Sequence, residues 1–226
     1  MNKYDLAEQA GNFVFIGEAG SGKSEIAINM ALGLAAAGDK TVHFFDLDMT
    51  KPLFRSRDVK QELEQAGVIV HFEEQFMDAP TTTGWVNRLL NDDGCYTVLD
   101  VGGDYIGARS IGGYAPAINH DRTTVFYVVN PYRPWSMDIE HIDLVLGEVL
   151  GVSHINLEKV EIIGNPNLGT GTTTDEIITG TELLSETIEK HKPIAGICVR
   201  KEDEPLLRNK INQRLWSIQL HLSYPF

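Results

Sequence analysis

Residues 17–24 read Gly-Glu-Ala-Gly-Ser-Gly-Lys-Ser, a run of spaced glycines followed at once by an ammonium and a hydroxyl. Glycine permits positive φ and puts no side chain between backbone N–H groups and a ligand, so such a stretch can wrap an anion. Lys23 supplies a point charge for the outer phosphates, and the Ser24 hydroxyl is a ligand for Mg²⁺. Gly17, Glu18, Ala19, Gly20, Ser21, Gly22, Lys23, Ser24 and Glu25 are therefore the expected cradle of a nucleoside phosphate. An ordinary glycine-rich turn is the alternative, and the flanking residues weigh against it. Phe13-Val14-Phe15-Ile16 is a short apolar run suited to a buried strand. Glu25 to Ala37 carries Ile26, Met30, Leu34 and Ala37 at helical spacing and stops at Gly38. Strand, loop and helix in that order bring the loop's N–H groups and the helix N-terminus to one point.

A phosphate loop also needs a divalent cation and a group that holds the attacking water or acceptor. Asp100 closes the apolar run Tyr96-Thr97-Val98-Leu99 and opens Asp-Val-Gly-Gly. A carboxylate there can hold Mg²⁺ directly or through water, while Gly102 and Gly103 let the backbone approach the terminal phosphate. Asp46 and Asp48 stand two residues apart at the end of another β-rich run, on the same side. One suits the Mg²⁺ shell, the other the orientation of a nucleophile. Simple turns after strands, exposed and acidic at Asp46 and Asp48, are the alternatives.

The elements that must position these groups alternate along the chain. Strand-like runs at Thr41–Phe45, Val68–Phe72, Tyr96–Leu99, Thr123–Val129, Val160–Ile163 and Ile194–Val199 are separated by segments of helical spacing. Helices are expected up to Ala66, over Trp85–Leu90, over Met137–Leu150, over Asp175–Lys190 with Thr173 and Glu176 as a capping box, and over Pro205–Leu222. Repeated βα units with short connections predict an α/β fold: a mostly parallel twisted sheet of about seven or eight strands, helices on both faces, and the ligand at the carboxyl ends of the strands. This is a Rossmann-like, three-layer P-loop arrangement, expected to form a single domain over residues 1–226.

The bulk properties narrow the function. A formal net charge of −13 disfavours nonspecific binding to nucleic acid or to an anionic membrane. No apolar run approaches membrane-spanning length, and Met1 to Gly11 is polar and acidic, unlike a signal peptide. Cys95 and Cys198 lie far apart without metal-ligand spacing and read as small core residues, so a reducing cytoplasm is the expected address.

Taken in order, the glycine loop, Asp46-Leu47-Asp48 and Asp100-Val101-Gly102-Gly103 resemble the MinD/ParA-type ATPases of the SIMIBI class of P-loop proteins. The resemblance continues through Ile162-Ile163-Gly164-Asn165 and Pro193-Ile194-Ala195-Gly196-Ile197, followed by Arg200 to Glu204, so it spans nearly the whole chain. It implies an Mg·ATP site lined by Lys23, Ser24, Asp46, Asp48, Asp100 and Asn165. Lys23 and Asp48 would serve the chemistry, Ser24, Asp46 and Asp100 the metal, and Asn165 the adenine. It also implies a protein partner and a nucleotide-dependent homodimer. The guanine signature Asn-Lys-x-Asp is absent, because Asn165 is followed by Pro166-Asn167-Leu168.

One departure concerns the loop itself. Many members of that family carry a lysine at the second loop position that reaches a partner's phosphate, whereas this chain has Glu18. Lys51, Arg55 and Arg57 are candidate replacement cations, or the solvated start of a helix. Asp46 to Pro52 is also similar to a nucleotide motif of bacterial tyrosine kinases, but Thr50 replaces an arginine and Tyr224 is a single tyrosine rather than a tyrosine-rich tail. Kinase activity is therefore not expected. His141 is expected on a solvated helix face. Trp135 reads as a packed loop anchor, with partner contact as the alternative, and the C-terminal apolar stripe as docked on the protein's own sheet rather than on a membrane.

Overall fold

A computed structural model describes residues 10–48, 59–72, 82–103 and 105–222. β1 (Asn12–Ile16) enters the phosphate loop and continues as α1 (Lys23–Ala37), β2 (Thr41–Leu47), α2 (Lys60–Gln65) and β3 (Val68–Phe72). Next come α3 (Thr82–Leu90), β4 (Cys95–Val101), the short α4 (Tyr105–Ser110) and α5 (Ala115–Ile118), and β5 (Thr123–Val129). The chain then forms α6 (Ile139–Ser153), β6 (Val160–Gly164), α7 (Thr174–Ile188), β7 (Ile194–Arg200), α8 (Glu204–Leu207) and β8 (Leu215–Ile218). The strands form one eight-stranded sheet in the order β3-β2-β4-β1-β5-β6-β7-β8. Every pair is parallel. The chain therefore moves outward from β1 first through β2 and β3, then to the other side from β5 onward. The phosphate loop sits where that direction reverses, the place such sheets use for ligands.

Parallel strands covered on both faces read as continuous apolar runs, and β1 and β4 are buried at every position. Alternate residues feed two cores. Phe13, Phe15, Phe44 and Phe126 pack with Ile26, Met30 and Leu34 of α1 and Leu63 of α2. Val14, Ile16, Leu99 and Tyr127 pack on the other face with residues of α3, α5, α6 and α7. Helix ends follow from local chemistry. Gly38 ends α1 in the left-handed conformation, Asp138 caps α6 through the His141 N–H, and Thr173 and Glu176 form the expected capping box on α7.

A buried polar cluster ties the amino ends of the central strands together. Asn12 Nδ2 donates to the Leu90 carbonyl at 2.8 Å and to Thr123 Oγ1 at 3.1 Å, and Thr97 Oγ1 donates to Asn12 Oδ1 at 2.7 Å. These bonds join β1, β4, β5 and the end of α3 at the edge of the sheet opposite the phosphate loop.

The C-terminal segment departs from expectation. Instead of one helix over 205–222, α8 is a single turn, and β8 adds an edge strand beside β7. Leu207, Ile211, Leu215, Ile218 and Leu222 do fit a helical stripe, but the fold splits them. Leu207 and Ile211 join the core under α7, whereas Ile218 and Leu222 join the core under α1 together with Trp216. Trp216 and Ile218 alternate with half-buried neighbours, the period of a strand. The segment does dock on its own sheet, as an added strand. The helical turns of α4 and α5 carry no periodic signal and were not anticipated.

Candidate nucleotide site

The loop after β1 has a backbone that only its glycines allow. Gly17, Gly20 and Gly22 have φ of 141°, 77° and 93°. A Cβ on Gly17 would stand 2.5 Å from the Val128 carbonyl of β5, so the loop closes directly over the neighbouring strand. Gly22 is the N-cap of α1, and no side chain caps that end. The first N–H groups of an α-helix have no acceptor within the helix, and an N-terminus of this kind favours an anion.

The carboxylates gather on the β2 and β4 side. Asp46 and Asp100 are register partners on these adjacent parallel strands. The Asp48 N–H donates to Asp46 Oδ1 at 3.2 Å, and Lys23 Nζ lies 4.0 Å from Asp48 Oδ2. Asp100 is fully buried; the Ser24 hydroxyl faces its carboxylate, and among the described residues no well-formed hydrogen bond reaches either oxygen. Burial raises its pKa to about 7, against the attraction of Lys23 and a smaller pull from the Ser24 hydroxyl; Asp46 and Asp48 add repulsion. A buried acid with unused lone pairs beside an uncapped helix start fits a bound cation. Among the described residues no three His, Cys, Asp or Glu side chains converge on a metal position. Mg²⁺ held by one or two carboxylates and by phosphate oxygens does not need such a set.

Gly103 is pressed against the loop: a Cβ there would lie 2.8 Å from the Ala19 nitrogen and the Gly17 carbonyl oxygen. A Cβ on Gly102 would meet Asp48 Oδ1 at 3.4 Å. The Asp-Val-Gly-Gly segment thus touches both the phosphate loop and the carboxylate that follows β2.

Asn165 follows β6, is buried, and donates from Nδ2 to the Ser21 carbonyl at 2.6 Å. Its amide therefore holds the phosphate loop. The cleft beyond it is lined by Asn165, Asn167, Thr172, Cys198 and Arg200. Arg200 donates to the carbonyls of Thr170 and Thr172 at 2.8 and 2.9 Å and to Asp203 at 2.7 Å, which pins the 169–172 loop over the cleft. Asn167 Oδ1 accepts from the Gly169 N–H at 2.5 Å, and the Leu168 side chain is half exposed.

Other expected residues have different surroundings. The Glu25 carboxylate accepts the backbone N–H groups of His221 and Leu222, so its side chain holds the segment after β8. Glu18 is half-buried, and its charge adds to the burial that pushes the Tyr127 hydroxyl upward. Trp135 is 52 % exposed and is not a packed anchor. His141 is exposed and bonds the Asp138 cap. Both cysteines are buried, as their core reading predicts. Lys51, Arg55, Arg57 and Tyr224 lie outside the described residues. Sequence reasoning missed Arg133, whose Nε donates to the Gly20 carbonyl at 3.1 Å from 113 positions along the chain. No local pattern signals a contact of that range.

No protein-family model matches the chain, and no curated protein matches it in sequence. Solved structures do resemble it. Chloroplast FtsY from Physcomitrella patens superposes with a TM-score of 0.52 at 14 % identity, covering 84 % of this chain and 58 % of that one. The signal recognition particle receptor FtsY from Elizabethkingia anophelis, in complex with GDP, gives a TM-score of 0.50 at 14 % identity with the same coverage. The chain shares their P-loop α/β fold. It aligns with little more than half the length of either FtsY chain, and at this identity the likeness concerns the fold alone. Among the described residues no helix is long and apolar enough to cross a membrane.

Proposed function

We propose that this protein is an Mg·ATP-dependent switch of MinD/ParA type that acts on a protein partner in the cytoplasm. The observation that carries the reading is Asp100, buried with no well-formed hydrogen bond among the described residues, beside the Ser24 hydroxyl, an uncapped helix N-terminus and Lys23. The N–H groups of residues 20–25 would bind phosphate oxygens, and Lys23 would leave Asp48 to neutralise the outer phosphates. Ser24, Asp46 and Asp100 would hold Mg²⁺, whose role is to draw charge from the phosphate oxygens. Asp48 would then accept a hydrogen bond from the attacking water and hold it in line with the terminal phosphorus. Gly103, in contact with the loop, would transmit loss of that phosphate to α4 and the surface around it.

Adenine is favoured over guanine by the chemistry of the cleft. Guanine presents adjacent N–H donors that a carboxylate reads best, yet the position used for that purpose is Leu168, and Asp203 is committed to Arg200. The acidic surface and the absence of a metal-ligand motif favour a protein partner, and a nucleotide-bound homodimer is one form that partner can take.

Phosphate release from ATP by the purified chain, with and without Mg²⁺, tests the reading. Turnover abolished by Asp48→Asn with ATP binding retained supports it. Tight ATP binding without turnover would reduce the protein to a nucleotide sensor. Unchanged ATP affinity in Lys23→Ala would sink the assignment of the loop. Label transferred to Tyr224 or to a partner would indicate a kinase instead.

A further inference from the structure

The loop lies among acidic side chains. Glu18 stands on the loop, Asp46 and Asp100 are register partners on the adjacent strands, and Asp48 lies 4.0 Å from Lys23. A nucleoside polyphosphate brings further negative charge and many acceptor oxygens, which a second cation with several donors can engage. Arg133 brings a second cation to the loop. Its Nε donates to the Gly20 carbonyl at 3.1 Å, and a Cβ on Gly20 would lie 3.2 Å from that Nε. One of the five guanidinium N–H donors is used there, and among the described residues no ion pair engages Arg133.

The turn that carries Arg133 is fixed at several points. Its own N–H donates to the Asn130 carbonyl at 3.1 Å, and the Tyr132 N–H donates to Asn130 Oδ1 at 3.1 Å. The Tyr132 hydroxyl donates to the Glu176 carbonyl of α7, and Asn130 Nδ2 donates to the Asn167 carbonyl at 2.7 Å. Pro131 and Pro134 flank the residue and restrict the backbone further. A flexible surface arginine would lose much side-chain entropy on binding, whereas this one is already held at the loop.

We propose that Arg133 binds the phosphate chain of the nucleotide within the same protomer, with Nε kept on the loop and the Nη groups donating to phosphate oxygens. It would supply the cationic contact that Glu18 removes from the second loop position. A guanidinium suits this task because it stays charged and offers parallel donors. The inference rests on the nucleotide reading above and goes beyond it by adding a residue.

Titration calorimetry of wild type, Arg133→Ala, Arg133→Gln and Arg133→Lys with Mg²⁺ and a nonhydrolysable ATP analogue, ADP, AMP and adenosine tests it. Arg133→Ala and Arg133→Gln should weaken the analogue and ADP by about tenfold or more, with adenosine within about twofold of wild type. Arg133→Lys should recover most of the loss, and higher salt should narrow the gap between wild type and Arg133→Ala. Equal losses for adenosine and the analogue would mean that Arg133 only braces the loop, and the proposal fails. It also fails if Arg133→Ala and Arg133→Gln bind the analogue as wild type does. If the wild type binds none of the four compounds, the nucleotide reading itself falls first. Melting without nucleotide identifies any variant that does not fold, and the remaining substitutions then decide.

Discussion

Asp100 is raised to about 7 because burial penalises its charge more than Lys23 compensates it. A folded-state pKa above the unfolded value gives stability that is complete below about pH 4 and is lost as pH rises through about 7. His71 acts in the opposite sense. Burial, and then the charge of His43, lowers it to about 4, so its contribution is complete above about pH 6.5 and is lost on acidification toward pH 4. The two windows overlap, so the wild-type profile alone does not separate them. The difference between Asp100→Asn and wild type does: without nucleotide and metal, the variant's gain in Tm should grow from pH 4 to pH 7 and then level off. Calorimetric melting at a series of pH values checks this, and a difference independent of pH would contradict the environment assigned to Asp100. Lys23, Ser24 and Asp100 were legible in the sequence because each sits at a fixed offset from a glycine run or a strand end. Arg133 was not, since its place depends on how the turn after β5 meets a loop after β1, and one residue in a polar turn carries no mark of that.

At the level of elements, the edge strand β3 is held to β2 by more than its backbone ladder. His43 Nδ1 and His71 Nε2 lie 3.0 Å apart, their rings stack, and the Trp85 ring meets His71 edge-on with centroids 4.6 Å apart. One ring must donate and the other accept, so at least one imidazole of the pair is neutral, and protonating both breaks the bond. Asp92 partly offsets the burial that lowers His43. Replacing both by phenylalanine should flatten the acid limb of the melting profile between about pH 6.5 and 4 by a few degrees relative to wild type. The β4 loop yields a sharper expectation. Because the atoms that a Gly103 methyl would strike are backbone, Gly103→Ala must displace the phosphate loop. Nucleotide affinity should fall more than tenfold while the nucleotide-free protein loses about 1–3 kcal/mol, measured by calorimetry and denaturant melting. The central βα units were legible because strands buried on both faces read as unbroken apolar runs. The last unit was not, because residues at helical spacing also serve two separate cores when a turn intervenes, and periodicity alone does not tell these cases apart.

On the scale of the whole molecule, a ligand that binds only the folded state stabilises it by mass action. Mg·ATP at about 100 times its Kd should add about 2.7 kcal/mol and raise Tm by roughly 5–10 °C in a chain of this size. EDTA should remove most of that shift, and GTP at equal concentration should give less; a larger shift with GTP would reverse the base preference drawn from Leu168. The sheet also divides its work between its two ends. At one end Asn12, Thr97 and Thr123 are mutually satisfied and buried, whereas at the other Asp100 is buried with no well-formed hydrogen bond among the described residues. A parallel strand slipped by one residue would turn Asp100 to the opposite face and break the Asn12 bonds at the same time. Asn12 thus works as an alignment mark, checking at a distance whether the chemistry at the far end is in phase. Substitutions at the two ends should consequently have different histories: those around Asp100 leave a folded protein with altered chemistry, while those around Asn12 yield mis-registered chains that are removed before any chemistry is attempted.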